Sequence, residues 1–398
     1  MTGRERPAVI FGAGNIGRGF LGQLFFNAGY RTCFVEARPE LAALLNERGA
    51  YPLWIVSDAE TRRYRISNLA ALPVGSIDRV AAALADADLA ATAVGVNNLA
   101  RVAPGLAAGI ALRAERGRPD PLNIIICENL LAAAGLLAAE IRRHLPPACI
   151  PYFQERVGLV ETVVSRMVPP VPADLLAREP LLVLVEPYQV LPVARQAFKG
   201  DRLPEVAGFL PVDDIHAYEE QKLYIHNLGH AVCAYYGYLK GYRYIWEAVR
   251  DPEIRDRLDR VLAEAGGALT RKHPFLSGQL EGYIADLRER FGNRALGDTV
   301  FRVGREPLRK LGPNDRLIGA LRLCLEQQVE FEDLARAVAA ALAYDYPEDP
   351  EAVELAGLIA AGGPGRVLHE VCGLKPDSPV YRAVETAYVR LAAARPGK

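Results

Sequence analysis

Short apolar runs alternate with helical patterns through the first third of the chain. Runs rich in valine, isoleucine, leucine and alanine have the length and composition of buried strands; they occupy positions 8–11, 31–35, 89–93 and 121–127. The segments between several of them place apolar residues three and four positions apart, which predicts amphipathic helices. Strands that alternate with helices predict a doubly wound parallel sheet.

This alternation is interrupted before it gives way to helices. Residues 51–66 resemble two strands joined by a turn at 57–60, and residues 151–195 carry further extended segments between proline-rich turns. We therefore expect extra strands that extend the sheet in mixed fashion. From about 215 to 391 one helical pattern follows another, which predicts a mainly α-helical second domain. The predicted domains are residues 1–198 and 199–398.

The first long helix of the second domain, over about 214–238, gathers polar side chains on one arc. At about 100° per residue, Glu219, His230 and Asn227 lie about 60°, 80° and 140° from Lys222. Such an arc is either a solvated polar face or a catalytic surface, and the helix alone favours the solvated face. The opposite side is an apolar stripe that can anchor the helix: Ile225, Leu228, Val232 and Tyr235.

Composition narrows the range of partners. The 398 residues are 51% hydrophobic and carry a formal net charge of −1, so no overall basic field favours nucleic acid or an acidic membrane. The apolar run at 8–11 is too short for a signal-peptide core or a membrane span, which predicts a cytoplasmic protein. The six cysteines lie singly, without zinc-binding spacing. We expect no metal and no disulfide framework.

A GxGxxG pattern directly follows the first predicted strand; it comprises Gly12, Ala13, Gly14, Asn15, Ile16 and Gly17. In this position the first glycine permits a tight turn, the second lets the backbone approach a pyrophosphate, and the third allows close helix packing. The second predicted strand ends at Glu36, where a carboxylate can bind a ribose diol. Together these signals predict a Rossmann-type domain that binds a dinucleotide.

The residues after the second strand bear on which dinucleotide binds. The carboxylate of Glu36 would accept hydrogen bonds from the ribose hydroxyls of NAD and repel the 2′-phosphate of NADP, so NAD is the predicted cofactor. Arg38 follows two residues later. It is either an ordinary surface arginine or a residue that stacks on adenine and tolerates a phosphate.

Two further strand ends carry candidate site residues. The run at 89–93 closes in a small-residue turn, Ala93, Val94 and Gly95, where cofactor and substrate meet in a doubly wound sheet. Asn97 and Asn98 follow and are interpreted mainly as turn residues. Asn129 stands after the run at 121–127, where its amide can point into the ligand crevice or cap the next helix.

A loop late in the chain concentrates cations among prolines and glycines. Arg305, Arg309, Lys310 and Arg316 lie within twelve positions of one another. Guanidinium groups bind phosphate or carboxylate in a two-pronged manner. The loop is therefore either an anion site or a solvated basic loop, and its composition alone favours the second.

Several of these motifs resemble the polyol-specific long-chain dehydrogenase family over nearly the full length. They are the glycine pattern with Phe11 and Phe20 at its ends, Thr92 to Gly95, Cys127 to Asn129, Phe198 to Gly200, the K-x-x-x-x-N-x-x-H pattern from Lys222 to His230, and Val303 to Leu311. The last block is similar to the phosphorylated-sugar branch. The resemblance implies an NAD-dependent, metal-independent interconversion of mannitol 1-phosphate and fructose 6-phosphate.

The same resemblance implies roles for individual residues. Lys222 would be the general acid/base, which requires a lysine pKa brought toward neutrality. Asn129 and Asn227 would donate to the substrate oxygen, and His230 would hold a substrate hydroxyl or orient the lysine. Glu219 is the predicted proton relay because it shares the lysine arc more closely than Glu220 does. Arg305, Arg309 and Lys310 are the predicted phosphate ligands.

Other interpretations remain open at this point. The family commonly has aspartate where this chain has Ser165, so any role of that aspartate is absent or taken over elsewhere. A dehydrogenase of a free polyol or a hexuronate would share the lysine helix, and a redox sensor would need the glycine loop alone. Beyond a small-molecule substrate we expect a monomer or weak homodimer.

Overall fold

A computed structural model describes residues 6–130 and 132–394. The chain forms two compact units that divide between Tyr218 and Glu219. The strands are β1 (Arg6–Phe11), β2 (Tyr30–Glu36), β3 (Ala50–Val56), β4 (Thr61–Ser67), β5 (Leu69–Pro73), β6 (Leu89–Thr92), β7 (Leu122–Ile126), β8 (Val157–Glu161), β9 (Val183–Val185), β10 (Leu191–Ala194) and β11 (Phe209–Val212).

A six-stranded sheet organises the first unit. Its order is β5-β2-β1-β6-β7-β8, and every neighbouring pair is parallel. Counted within this sheet alone the order is 3-2-1-4-5-6, the doubly wound arrangement that brings the first and fourth strands together. The prediction of a Rossmann-type domain is confirmed.

Helices cover both faces of this sheet because its strands are apolar on both sides. Ala8 and Ile10 of β1 join one buried cluster, whereas Val9 and Phe11 join another. The helices of this unit are Gly22–Asn27, which continues a π-helical turn at Gly17–Leu21, and Pro39–Arg48, Ile77–Asp86, Leu99–Glu115, Ala133–His144, Ile150–Arg156 and Ala173–Arg178.

Of the predicted extra strands, β8 joins the edge of the main sheet in parallel fashion, whereas the others form two smaller sheets instead of extending it. The antiparallel hairpin of β3 and β4 turns at residues 57–60, and β9 pairs parallel with β3. The parallel pair of β10 and β11 stands apart as a second small sheet. The main sheet stays fully parallel, so the mixed pairing is confined to these additions.

The second unit is helical, as predicted. The helix Ile215–Gln221 crosses the division between the units and continues through a π-helical turn at Lys222–Asn227. The α-helices are Ile215–Gln221, Leu228–Leu239, Ile245–Arg250, Pro252–Lys272, Ser277–Phe291, Val300–Gly304, Pro307–Lys310, Ile318–Glu326, Glu332–Leu342, Pro350–Glu370 and Pro379–Ala394. Within the described ranges, no helix combines the length and apolar character that a membrane span requires.

Candidate functional site

The glycine loop after β1 uses its glycines for two different purposes. Gly12 has φ of 96°, and a β-carbon there would lie 2.4 Å from the carbonyl oxygen of Ala93. At Gly17 a β-carbon would lie 1.9 Å from the carbonyl oxygen of Gly12. Neither position has room for a side chain. At Gly14, by contrast, a β-carbon would meet no atom within 4 Å, so this stretch of backbone is open to a ligand.

A pocket of about 270 Å³ lies beside this loop and gathers six of the predicted cofactor residues: Gly12, Gly14, Glu36, Arg38, Ala93 and Val94. The other five predicted residues do not line it. Ala13 and Gly17 are buried in the loop, Ile16 is half-buried, and Asn15 and Gly95 are exposed. Arg101, which no sequence motif marks, also lines the pocket from the helix after the 93–95 turn.

Glu36 ends β2 with both carboxylate oxygens engaged. Oε2 accepts a hydrogen bond from the backbone N–H of Ala13 at 2.9 Å, and Oε1 accepts from the backbone and Nε of Arg38 at 3.0 and 3.1 Å. Burial raises the pKa of Glu36, but the bonds from Arg38 and Ala13 outweigh it and hold that pKa below its ordinary value. Glu36 therefore stays ionised and fixes the loop, with acceptor capacity left for a ligand.

The turn after β6 is held from the end of β7. The buried carboxylate of Glu128 accepts hydrogen bonds from the N–H groups of Val94 and Gly95 at 3.0 and 2.8 Å. The Asn98 amide donates to the carbonyl of Val94 at 2.9 Å, so Asn98 acts as a turn residue. Asn129, the next residue after Glu128, is exposed. Glu128 thus ties the turn that lines the pocket to the backbone that carries Asn129.

The lysine helix contains a π turn that the sequence did not predict. Leu228 N–H donates to the carbonyl of Leu223, five residues back, across the turn Lys222–Asn227. The count of 100° per residue is therefore wrong here, since each residue of a π turn rotates less than in an α-helix. Asn227 lies about one widened turn after Lys222, so the predicted angle of 140° between their side chains about the helix axis does not apply. The predicted apolar stripe is confirmed, because its four members are all buried: Ile225, Leu228, Val232 and Tyr235.

The acids before the lysine differ in their contacts. Glu220 accepts hydrogen bonds from Lys272 Nζ at 2.6 Å and from His273 Nε2 at 2.7 Å. These contacts tie Glu220 to the end of the helix Pro252–Lys272. Glu219 is half-buried one turn before Lys222, so it remains the candidate relay.

Two histidines of this helix lie among cations in the second unit. Burial lowers the pKa of His226 well below its usual value, and the charges of Arg290, His230 and Lys222 lower it further. Burial likewise lowers the pKa of His230, followed by the charges of Arg302, Arg316 and Lys310. Both rings are therefore neutral near pH 7. The sequence patterns predicted no functional role for His226.

The predicted phosphate ligands have carboxylate or carbonyl partners. Arg305 is exposed and lies 3.6 Å from Glu306, whereas Arg309 bonds Glu306 at 2.8 Å and Asp315 at 3.2 Å. Lys310 is buried, and its ammonium donates to the carbonyls of Val303, at 2.7 Å, and Arg305.

This burial makes Lys310 a structural contact first. Burial and the charges of Arg316 and Arg309 lower its pKa to about 7. A phosphate bound by Lys310 would have to replace its carbonyl partners, so the phosphate prediction gains no support for this residue. Arg316, which was noted but not predicted as a ligand, lies 2.8 Å from Asp315 and lowers the pKa of both His226 and His230. The sequence feature that could have identified Arg316 is its position in the basic loop that begins at Arg305.

No cluster of three or more histidine, cysteine, aspartate or glutamate residues suited to a metal occurs in the described parts of the chain. A parallel sheet in the doubly wound order, with an open glycine loop beside a pocket, defines a class: a dinucleotide-binding protein with a Rossmann-type first domain. The mannitol dehydrogenase Rossmann domain model matches residues 6–205, and the mannitol dehydrogenase C-terminal domain model matches residues 214–391. The chain belongs to the mannitol dehydrogenase family of polyol dehydrogenases.

Solved structures share the same fold. Pseudomonas fluorescens mannitol 2-dehydrogenase, in a ternary complex with NAD and D-mannitol, is 20% identical with a TM-score of 0.75, over 98% of this chain and 92% of that one. A D-sorbitol dehydrogenase in substrate-free form is 18% identical with a TM-score of 0.80, over 98% and 93% of the two chains.

Proposed function

We propose that this chain is an NAD-dependent dehydrogenase that interconverts D-mannitol 1-phosphate and D-fructose 6-phosphate, with Lys222 as general acid/base and no metal. The observation that carries the phosphate is the set of cations around His226 and His230. Arg290 and Arg316 act electrostatically on both rings, Lys222 acts on His226, and Arg302 acts on His230. A cationic environment suits a substrate with an anionic end.

The first unit offers a place for the cofactor. The open backbone at Gly14 and the pocket beside it would take the pyrophosphate, and Glu36 would accept hydrogen bonds from the ribose hydroxyls. Nicotinamide supplies the hydride acceptor or donor. The ionised Glu36 favours NAD, although its pairing with Arg38 reduces the repulsion that a 2′-phosphate would meet.

The residues of this chain would then handle the proton and the developing charge. In ketone reduction the Lys222 ammonium protonates the substrate oxygen, and in oxidation the neutral amine removes the hydroxyl proton. Asn129 and Asn227 would donate amide hydrogens to that oxygen, stabilising negative charge. His230 would hold a neighbouring hydroxyl, and Glu219 would return the proton to solvent.

A dehydrogenase of a free polyol or a hexuronate, such as a mannitol 2-dehydrogenase or fructuronate reductase, is the second candidate. The contacts of Arg309 and Lys310 favour a free polyol, because both side chains already have partners within the protein. A hexuronate carboxylate would meet the same cations as a phosphate.

Initial rates with NADH separate the candidates when fructose 6-phosphate, fructose and fructuronate are compared. We expect kcat/KM to be highest for fructose 6-phosphate. We also expect Arg316→Met to lower this value about tenfold more than it lowers the value for fructose. The control is Arg322→Met. It removes a different cation, which donates to the carbonyl of Gly373 at 3.0 Å, and should affect both substrates equally. Equal efficiency with fructose would refute the phosphate assignment.

A further inference from the structure

The imidazole of His230 is held in one orientation within the second unit. Its ring stacks on Phe291 with centroids 4.7 Å apart and planes 10° apart. The side chain is 14% exposed, but its Nε2 atom is fully buried. That nitrogen lies 3.5 Å from Oδ2 of Asp298.

Contacts of its backbone carbonyl and of Oδ1 hold Asp298 in place. Its carbonyl accepts from the N–H of Ile245 at 2.9 Å, and the next residue, Thr299, caps the helix Val300–Gly304 by accepting from Arg302 N–H at 3.1 Å. Oδ1 of Asp298 pairs with the guanidinium of Arg302. Oδ2 is buried, and among the described residues neither it nor His230 Nε2 has a hydrogen-bond partner, so the 3.5 Å approach of these two atoms to each other is the polar contact open to both.

Two buried polar atoms that lie 3.5 Å apart and lack partners are both satisfied when a hydrogen on one of them is shared with the other. A neutral imidazole carries one N–H. If that hydrogen were on Nδ1, the lone pair of Nε2 would point at a carboxylate oxygen, and both atoms would remain unpaired in a buried place.

We propose that Asp298 is a positioning residue, which holds His230 as the tautomer with hydrogen on Nε2 and leaves Nδ1 to accept a hydrogen bond from a substrate hydroxyl. The substrate part of this inference rests on the proposed function. The tautomer part rests on Asp298 alone.

The charged groups around the ring fit this division of roles. Burial, followed by the charges of Arg302, Arg316, Lys310 and Arg290, lowers the pKa of His230 and keeps the ring neutral, the form that can accept a hydrogen bond. Burial raises the pKa of Asp298, while Arg302 opposes that rise. A protonated Asp298 would donate to Nε2 and impose the opposite tautomer, which makes the tautomer the decisive observable.

Nitrogen NMR of the full chain labelled with ¹⁵N-histidine tests this directly, because the two tautomers give distinct ring-nitrogen shifts. The chain has six histidines, and the spectrum of His230→Gln identifies the signal. At pH 7.5 we expect hydrogen on Nε2. Hydrogen on Nδ1 in the unaltered protein would overturn the proposal, whether or not any variant folds.

Asp298→Asn adds the functional arm. We expect a mixture of tautomers and a loss of about tenfold or more in kcat/KM for the polyol, the scale of a lost orienting contact, with NADH affinity kept. Asp256→Asn, an exposed acid paired with Arg260, is the control. An unchanged tautomer in Asp298→Asn contradicts the inference. The expected tautomers in a protein that turns over no polyol would uphold Asp298 and count against the proposed function.

Discussion

The chain widens a helix into a π turn at Gly17–Leu21 and again at Lys222–Asn227, and the two turns differ in what they bury. All five residues of the first are buried. In the second, Ile225 and His226 are buried, whereas Lys222 and Asn227 are partly exposed. One irregularity of backbone therefore occurs in two opposite environments.

The contacts of the freed backbone groups explain the difference. In the first turn the carbonyl of Arg18 accepts from the Tyr51 hydroxyl at 2.7 Å, and that of Gly19 accepts from Arg166 at 3.1 Å. This turn lets the chain pack closely behind the glycine loop. The second turn brings Lys222 and Asn227 one turn apart on a partly exposed surface. π turns are common at functional sites, but the first serves packing and the second presents side chains.

The largest expected effect follows from replacing the lysine of the second turn. Lys222→Ala removes the proposed general acid/base, so we expect kcat to fall by about 10²–10⁴. NADH binding, measured by fluorescence titration, is expected to remain. Lys375→Ala, an exposed lysine, is the control. Retained turnover would contradict the role of Lys222, and NADH binding by an unaltered protein that turns over no polyol would favour a redox sensor.

The first turn is expected to respond in stability. Gly17→Ala places a β-carbon against the Gly12 carbonyl, and we expect a loss of about 2–3 kcal/mol in the free energy of unfolding, measured in urea. Gly14→Ala is the matched control in the same loop. Its β-carbon meets nothing within 4 Å, so stability is expected to hold while NADH binding weakens. Equal destabilisation by both changes would show that the loop does not make this distinction.

The two regions also differ in how far the sequence predicted them. Gly12 and Gly17 are required by backbone approach within one short segment, so a local pattern after a strand predicts the turn. The predicted angle between Lys222 and Asn227 was wrong, because no residue type in Lys222–Asn227 marks a widened turn. Glu128 and Asp298 were missed because each acts on groups far along the chain, where tertiary packing decides the contact.

Glu128 gives a smaller test of the cofactor region. Glu128→Gln keeps one acceptor for the 93–95 turn but sets an amide NH₂ against the other N–H group. We expect NADH binding to weaken about tenfold, equivalent to about 1.4 kcal/mol. Glu155→Gln, an exposed neighbour of Arg156, is the control. An unchanged KM for NADH would separate this turn from the cofactor site.

Acid is expected to destabilise the second unit more than the first. His226 and His230 have lowered pKa values when folded, so below about pH 6.5 the unfolded chain binds protons that the folded chain does not. The free energy of unfolding therefore decreases as the pH is lowered below about 6.5, by at most about 1.4 kcal/mol per pH unit for each ring.

Hydrogen exchange measured at pH 5.5 and at pH 7.5 tests this expectation. Protection should be lost to a greater extent after residue 219 than in β1 to β8, because the described histidines of the first unit, His144 and His216, lie on the surface. His226→Gln should remove about one proton from the slope. An unaltered slope in that variant, or equal loss of protection in both units, would show that these buried rings do not set the acid response.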